Sequence, residues 1–112
     1  MIYEIRNYHF DPDRIDDYRE WATHLAVPHL KRELDLVGFW INSADEPTIT
    51  GAPHDDLGTA NVTWIIRWDD VESRQQGWDR VFLSDAWKEI FEQVPGGRAS
   101  YRRIESKFAD EI

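Results

Sequence analysis

The sequence predicts an α+β domain in which helices cover one face of a four-stranded antiparallel sheet. Within residues 60–70, side chains alternate between two faces as in a strand, one face apolar and the other mixed. The stretch ends at two aspartates that can cap a following helix. A strand of this kind is typical of the middle of a sheet. The predicted elements follow the order strand, long helix, strand, loop, strand, split helix, strand, which matches a ferredoxin-like, split βαβ arrangement.

Composition and charge exclude several classes of protein. The chain has 112 residues, which predicts one domain spanning residues 1–112. The net charge is −9 and no basic patch is visible, so a nucleic-acid partner is not expected. No apolar run reaches the length of a membrane span and no signal-peptide pattern is present, so we expect no membrane partner and a cytoplasmic location. The absence of cysteine excludes disulfides, thiolate catalysis and cysteine zinc sites.

The first half of the chain predicts a strand, a long helix and a second strand. Residues 2–8 alternate as a first strand, and the pair Asp11 and Pro12 is a good helix start. Apolar residues then recur at helical spacing to about residue 34, with Pro28 predicting a kink or break between residues 24 and 28. The second strand is predicted over residues 36–41.

The second half begins with a long connection. Residues 42–59 are rich in proline and glycine, and they predict a functional loop, a lid or a dimer arm, with a short hairpin as an option around residues 48–50. After the strand over residues 60–70, a helix is predicted from residue 71, with a restart at Ser84. Pro95 and the two glycines after it end that helix, and residues 98–108 alternate as the last strand.

One sheet face has no predicted cover within the chain. The helices can cover one face of a four-stranded sheet, and nothing else is long enough to cover the other. A second copy of the chain would supply that cover, and symmetric pairing is the commonest solution. The sequence therefore predicts a homodimer whose sheets pack face to face into an α/β barrel.

Several stretches, in this order along the chain, resemble a known family. They are residues 3–8, 24–32, 36–40, 64–70 and 85–89. Together they are similar to the NIPSNAP family, within the dimeric α/β-barrel group. The resemblance implies a ferredoxin-like homodimer and leaves the chemistry open, because the wider group includes cofactor-free monooxygenases, isomerases, cyclases, haem-handling enzymes and binding proteins. The chain departs from the family pattern in the loop over residues 42–59 and in Trp64 and Trp68.

Three polar residues share one face of the first predicted strand. Alternation places Glu4, Arg6 and Tyr8 together, where they can converge on a cavity. Arg6 would then bind a carboxylate or enolate oxygen, Tyr8 would donate a hydrogen bond to developing negative charge, and Glu4 would move a proton. The alternative is that Glu4 and Arg6 form an ion pair at the dimer seam while Tyr8 packs in the core.

His24 is the second candidate for catalysis. It precedes Pro28, and the resemblance places a histidine at this position, where it can act as a base at neutral pH. The alternative is a structural imidazole. A metal site is not expected, because His24 and His29 are five residues apart and do not share a helix face. No glycine-rich phosphate loop is present, so no nucleotide cofactor is expected.

The chain holds six tryptophans, a high number for its length. Four of them are candidates for the wall of an aromatic substrate pocket: Trp21, Trp40, Trp64 and Trp68. The alternative is that they are core or dimer interface, where indoles are also common.

Two functions from different classes follow. The first is a small cofactor-independent enzyme that acts by proton transfer on an apolar or aromatic carbonyl-type molecule, as an isomerase, cyclase or monooxygenase. The second is a non-catalytic small-molecule-binding or protein-interaction module of the same fold. A ligand-sized cavity faced by an imidazole or carboxylate favours the enzyme, and a core filled by Trp64 and Trp68 favours the module.

Overall fold

The structure is a computed structural model that describes residues 1–43, 45–52 and 55–112. Within these residues the chain forms four strands and four α-helices. The strands are β1 (Ile2–Phe10), β2 (Leu36–Ile41), β3 (Val62–Trp68) and β4 (Tyr101–Ala109). The helices are α1 (Ile15–Trp21), α2 (Val27–Glu33), α3 (Val71–Phe82) and α4 (Asp85–Phe91).

The strands form one antiparallel sheet in the order β2-β3-β1-β4. This order is that of the split βαβ, ferredoxin-like arrangement, so the predicted fold class is confirmed. The register places Arg6 opposite Trp64 and Glu4 opposite Ile66. Directly opposed residues of an antiparallel pair share a face, so the polar positions of β1 and the indoles of β3 lie on the same side of the sheet.

That shared side is covered by the helices. Val62, Trp64, Ile66 and Trp68 are all buried against them, whereas Thr63 and the other odd-numbered positions of β3 face away. β3 lies inside the sheet, as the sequence predicts, but the helices cover only one of its faces.

The helical segment continues without a break before Pro28, and the predicted irregularity there is a π-helical turn. A 3-10 turn over Pro12–Arg14 is capped by the Asp11 carboxylate, which accepts from the Asp13 amide, and it leads into α1. Between α1 and α2 the backbone forms a π-helical turn, Ala22–Ala26, in which the Val27 amide bonds to the Ala22 carbonyl. A proline ring clashes with the carbonyl four residues earlier, and the wider turn accommodates that ring without breaking the helix.

The boundaries in the second half follow the predicted capping. Asp70 accepts from the Ser73 amide at the start of α3, and Ser84 accepts from the Trp87 amide at the start of α4. The last strand begins at Tyr101 rather than at residue 98, because residues Arg98–Ser100 form a 3-10 turn.

The connection between β2 and β3 contains no strand in its described residues, so the optional hairpin around residues 48–50 is not formed. Its base is closed by the Asn42 amide, which donates to the Asn61 carbonyl. Asp55 pairs with Arg103, and His9 bonds to the Gly58 carbonyl at 3.0 Å. His9 and Arg103 are opposed on β1 and β4, on the side of the sheet away from the helices, so the loop covers one end of that side.

In the described part of the chain, no helix is both long and apolar enough to cross a membrane.

Candidate functional site

A cavity of about 510 Å³ lies between the sheet and the helices. Its volume is in the range that holds a small organic ligand. The sheet supplies one wall, which is aromatic because β1, β2, β3 and β4 each place rings on this side. These rings are Tyr8, Phe39, Trp64 and Tyr101.

The helices supply the opposite wall, and it is aromatic too. Its rings come from α1, α3 and α4: Tyr18, Trp21, Trp78, Phe82, Trp87 and Phe91. Trp21 is fixed by a hydrogen bond of 2.9 Å from its indole Nε1 to the Ile90 carbonyl, and the rings of Trp78 and Phe82 lie 4.1 Å apart between centroids. The cavity therefore favours a ligand with a large apolar or aromatic body.

Arg6 and Tyr8 form the polar part of the sheet wall. Arg6 Nε donates to the Tyr8 hydroxyl oxygen at 2.8 Å, and only 7% of Tyr8 is exposed. Burial raises the pKa of Tyr8, although the neighbouring Arg6 guanidinium opposes the rise. Tyr8 is therefore protonated at neutral pH. Because its oxygen already accepts from Arg6, its own hydrogen is available to an acceptor in the cavity.

Trp64 adds a second available donor. The residue is 4% exposed and lines the cavity; its indole Nε1 lies close enough to the Tyr8 hydroxyl to act against the rise in the pKa of Tyr8, but it makes no hydrogen bond of normal geometry among the described residues. A buried donor without a partner is costly and is uncommon in native structures. A ligand oxygen near Tyr8 and Trp64 would satisfy it.

Glu4 lies behind this polar part, and its carboxylate is fully buried. It accepts five hydrogen bonds, from Arg6, Arg74 (two), Trp68 and Ser106, at 2.8–3.1 Å. Burial acts to raise the pKa of Glu4, but the hydrogen bonds and charges of Arg74 and Arg6 outweigh it and hold that pKa below its ordinary value. A carboxylate with this many donors is a poor proton-transfer group, and Glu4 does not line the cavity.

The two arginines that bind Glu4 also stack on one indole. The guanidinium carbon of Arg6 lies 4.6 Å from the Trp78 ring centroid, and that of Arg74 lies 4.3 Å from it. Cation–π contact and the shared carboxylate fix the direction of the Arg6 side chain. Arg6 is thus held in place before any ligand arrives.

The structure does not place His24 with the cavity. Its side chain is 69% exposed and lies 3.1 Å from the Glu20 carboxylate, one helical turn away on the outer surface. The structure therefore does not bring the predicted base together with Arg6 and Tyr8.

The four predicted tryptophans divide into two pairs. Trp21 and Trp64 line the cavity. Trp68 is buried on the same side of the sheet, but its indole donates to Glu4 and it does not line the cavity. Trp40 is 50% exposed and lies on the opposite side of the sheet, over Gly38, so it is no part of this site.

Sequence reasoning missed most of the helix wall. The sequence places Trp78 on one apolar helical stripe and Trp87 and Phe91 on the stripe that follows Ser84, and such a stripe predicts a buried face without telling whether it fills a core or lines a cavity. For Tyr101 the sequence predicts only a place in the last strand. The unusual number of aromatic side chains on these stripes is the sequence feature that could have indicated an aromatic cavity wall.

Charged side chains stand at the cavity rim. Lys88, Glu92 and Arg98 are exposed and also line the cavity. In the described part of the chain, no group of three histidine, aspartate or glutamate side chains is arranged to hold a metal ion.

Comparison with known proteins identifies the fold. An uncharacterized NIPSNAP domain protein from Burkholderia xenovorans superposes with a TM-score of 0.74 at 18% identity, covering 100% of this chain and 95% of that chain. A NIPSNAP family protein of unknown function from Agrobacterium tumefaciens superposes with a TM-score of 0.74 at 20% identity, covering 97% and 86%. The resemblance predicted from the sequence stretches is thereby confirmed at the level of the fold.

A more distant similarity extends to an enzyme. An antibiotic biosynthesis monooxygenase superposes with a TM-score of 0.59 at 13% identity, covering 100% of this chain and 99% of that chain. No protein-family model matches the sequence, and no curated protein matches it.

Proposed function

We propose that this chain, which has the fold of NIPSNAP domain proteins, binds an apolar or aromatic carbonyl-type small molecule and acts on it without a cofactor. The observation that carries the proposal is the aromatic cavity with Arg6 and Tyr8 in its wall. The reaction type remains isomerase, cyclase or monooxygenase, and the fold shared with an antibiotic biosynthesis monooxygenase is compatible with it.

The chemistry follows from the direction of the hydrogen bonds. Tyr8 donates its hydrogen to the carbonyl oxygen of the ligand, and the Trp64 indole is a second donor for the same oxygen. For the proton transfer, the C–H bond beside the carbonyl breaks, its proton passes to the Glu92 carboxylate at the rim, and the electron pair moves onto the carbonyl oxygen, where Arg6 stabilises the charge through Tyr8. Glu4 holds Arg6 in place rather than moving the proton.

The non-catalytic alternative has one observation in its favour. Among the described residues that line the cavity no imidazole is found, and the single carboxylate, that of Glu92, is exposed at the rim, so no base lies in the aromatic part of the cavity. A carrier of the same ligand needs the cavity and the donors but no base.

The direct test is to purify the untagged protein without added ligand, denature it, and identify released molecules by mass spectrometry. We expect an apolar or aromatic carbonyl compound. A haem or flavin would overturn the cofactor-free proposal. The released compound is then incubated with the native protein and with Tyr8→Phe, which removes one hydroxyl from a buried ring.

If the protein is an enzyme, Tyr8→Phe lowers the rate of consumption by about 100-fold, the effect typical of losing one oxyanion donor. If wild-type protein binds the compound and does not consume it, the carrier function replaces the enzyme. Release of nothing, together with no binding of any carbonyl probe, contradicts both.

We also propose that the chain forms a homodimer through the helix-free side of the sheet. Ile5, Ile65 and Trp40 lie on that side, half-buried or exposed, and no helix in the described part of the chain covers them. A second copy would remove these apolar side chains from water.

We expect analytical ultracentrifugation at micromolar concentration to give the mass of a dimer for the wild type. Ile65→Arg is expected to give a monomer, because it places an unpaired charge in the centre of the interface. Val71→Arg is the matched control, since Val71 is 68% exposed at the start of α3, which packs on the other side. A monomeric wild type, or a dimer unaffected by Ile65→Arg, would contradict the proposed interface.

A further inference from the structure

The rim of the cavity is positively charged, in a chain whose net charge is −9. Lys88 and Arg98 are its cations and Glu92 is its carboxylate, which leaves one net positive charge. The mouth of the cavity is therefore more positive than the average surface of this acidic protein. Such a local field attracts anions and repels cations.

The two cations are also free to bind a ligand. Among the described residues, neither Lys88 nor Arg98 has a carboxylate within ion-pair distance. Arg98 instead lies over the Phe91 ring, with its guanidinium carbon 5.8 Å from the centroid. It is therefore directed along the aromatic wall of the cavity.

We infer that the ligand is an aromatic or apolar carboxylic acid, bound as a monoanion, with the acid group between Lys88 and Arg98. This inference rests on the function proposed above and specifies its substrate class. The apolar body would fill the aromatic cavity, and a separate carbonyl oxygen would meet Tyr8 and Trp64. One net positive charge at the rim matches a single carboxylate better than a doubly charged phosphate ester.

The test compares two probes of the same shape by isothermal titration calorimetry. The probes are 6-acetyl-2-naphthoate, which has a ketone and a carboxylate, and its neutral carboxamide. We expect the acid to bind wild-type protein at least about tenfold more tightly than the amide, and the difference to shrink as salt is raised.

Lys88→Gln and Arg98→Gln are each expected to weaken binding of the acid about threefold to fivefold, which is the size expected for a partly exposed ion pair. Neither substitution is expected to change the affinity for the amide. Arg32→Gln is the matched control, because it removes the same charge from the exposed surface of α2, outside the cavity. This substitution is expected to leave the affinity for both probes unchanged.

The outcomes distinguish failure of this inference from failure of the proposed function. Equal binding of acid and amide overturns the carboxylate inference, and so does a loss of affinity in Arg32→Gln equal to that in Lys88→Gln and Arg98→Gln. Neither result contradicts the proposed small-molecule site. Binding of neither probe at millimolar concentration overturns the inference and counts against the cavity as a site for aromatic carbonyl compounds.

Discussion

Replacing Glu4 with glutamine is expected to lower the free energy of unfolding by about 3–5 kcal/mol at pH 7, the cost typical of breaking a buried ion pair from one side. The carboxylate is fully buried and bonds to both Arg6 and Arg74. Glutamine keeps the shape but removes the charge, so two guanidinium groups are left next to each other without a counter-ion. Chemical denaturation monitored by circular dichroism measures the change.

The same substitution should change how stability depends on pH. The pKa of Glu4 is lower in the folded protein than its ordinary value, so its stabilising contribution is present above the unfolded-state pKa of about 4.3. That contribution is lost as pH falls through the folded-state pKa. The difference between wild type and Glu4→Gln is therefore expected to be full at pH 7 and to shrink below about pH 4.

Glu89→Gln is the control for the loss of one negative charge. Glu89 is exposed on α4, and its substitution should change stability by less than about 0.5 kcal/mol. If Glu4→Gln were no more destabilising than Glu89→Gln, Glu4 would not be a structural counter-ion, and the proton-transfer role predicted from the sequence would regain support.

Replacing Arg6 with methionine is expected to weaken binding of a carbonyl ligand by about tenfold to a hundredfold. Arg6 bonds to the Tyr8 oxygen and so directs the Tyr8 hydrogen towards the cavity. Hydrogen bonds to charged groups contribute about 1.5–3 kcal/mol, which corresponds to this range of affinity. Titration calorimetry with 6-acetyl-2-naphthoate or a released natural ligand measures it.

Arg74→Met is a closely matched control for this second prediction. Arg74 also bonds to Glu4 and stacks on Trp78, but it does not line the cavity. Both variants should lose stability, whereas only Arg6→Met should lose affinity. An equal loss of affinity in the two variants would mean that Arg6 acts only through the stability of the Glu4 cluster.

The fold was predictable because its signals are local. Asp70 and Ser84 cap the helices that follow them, and each cap is visible in the sequence as a polar residue before an apolar stripe. Alternation in β1 likewise placed Glu4, Arg6 and Tyr8 on one face, and the structure brings these three together.

The site was only partly predictable because its remaining features depend on packing between elements. Alternation cannot tell which face of a strand the helices will cover, so Trp40 and Trp64 looked equivalent although they lie on opposite sides of the sheet. Helical spacing likewise does not show that His24 lies on the outer surface beside Glu20 rather than at the cavity. The role of Glu4 depends on Arg74, which comes from α3, 70 residues away.

The most direct measurement of the central claim is a titration of the protein with 6-acetyl-2-naphthoate, observed through the indole N–H signals in a ¹⁵N-correlated NMR spectrum. All six tryptophans report at once. Trp21, Trp64, Trp78 and Trp87 line the cavity, whereas Trp40 and Trp68 do not and serve as internal controls. We predict the largest shift for Trp64, whose N–H gains an acceptor, and none for Trp40. A shift of Trp40 with Trp64 unchanged would place the ligand on the other side of the sheet and contradict the proposed site.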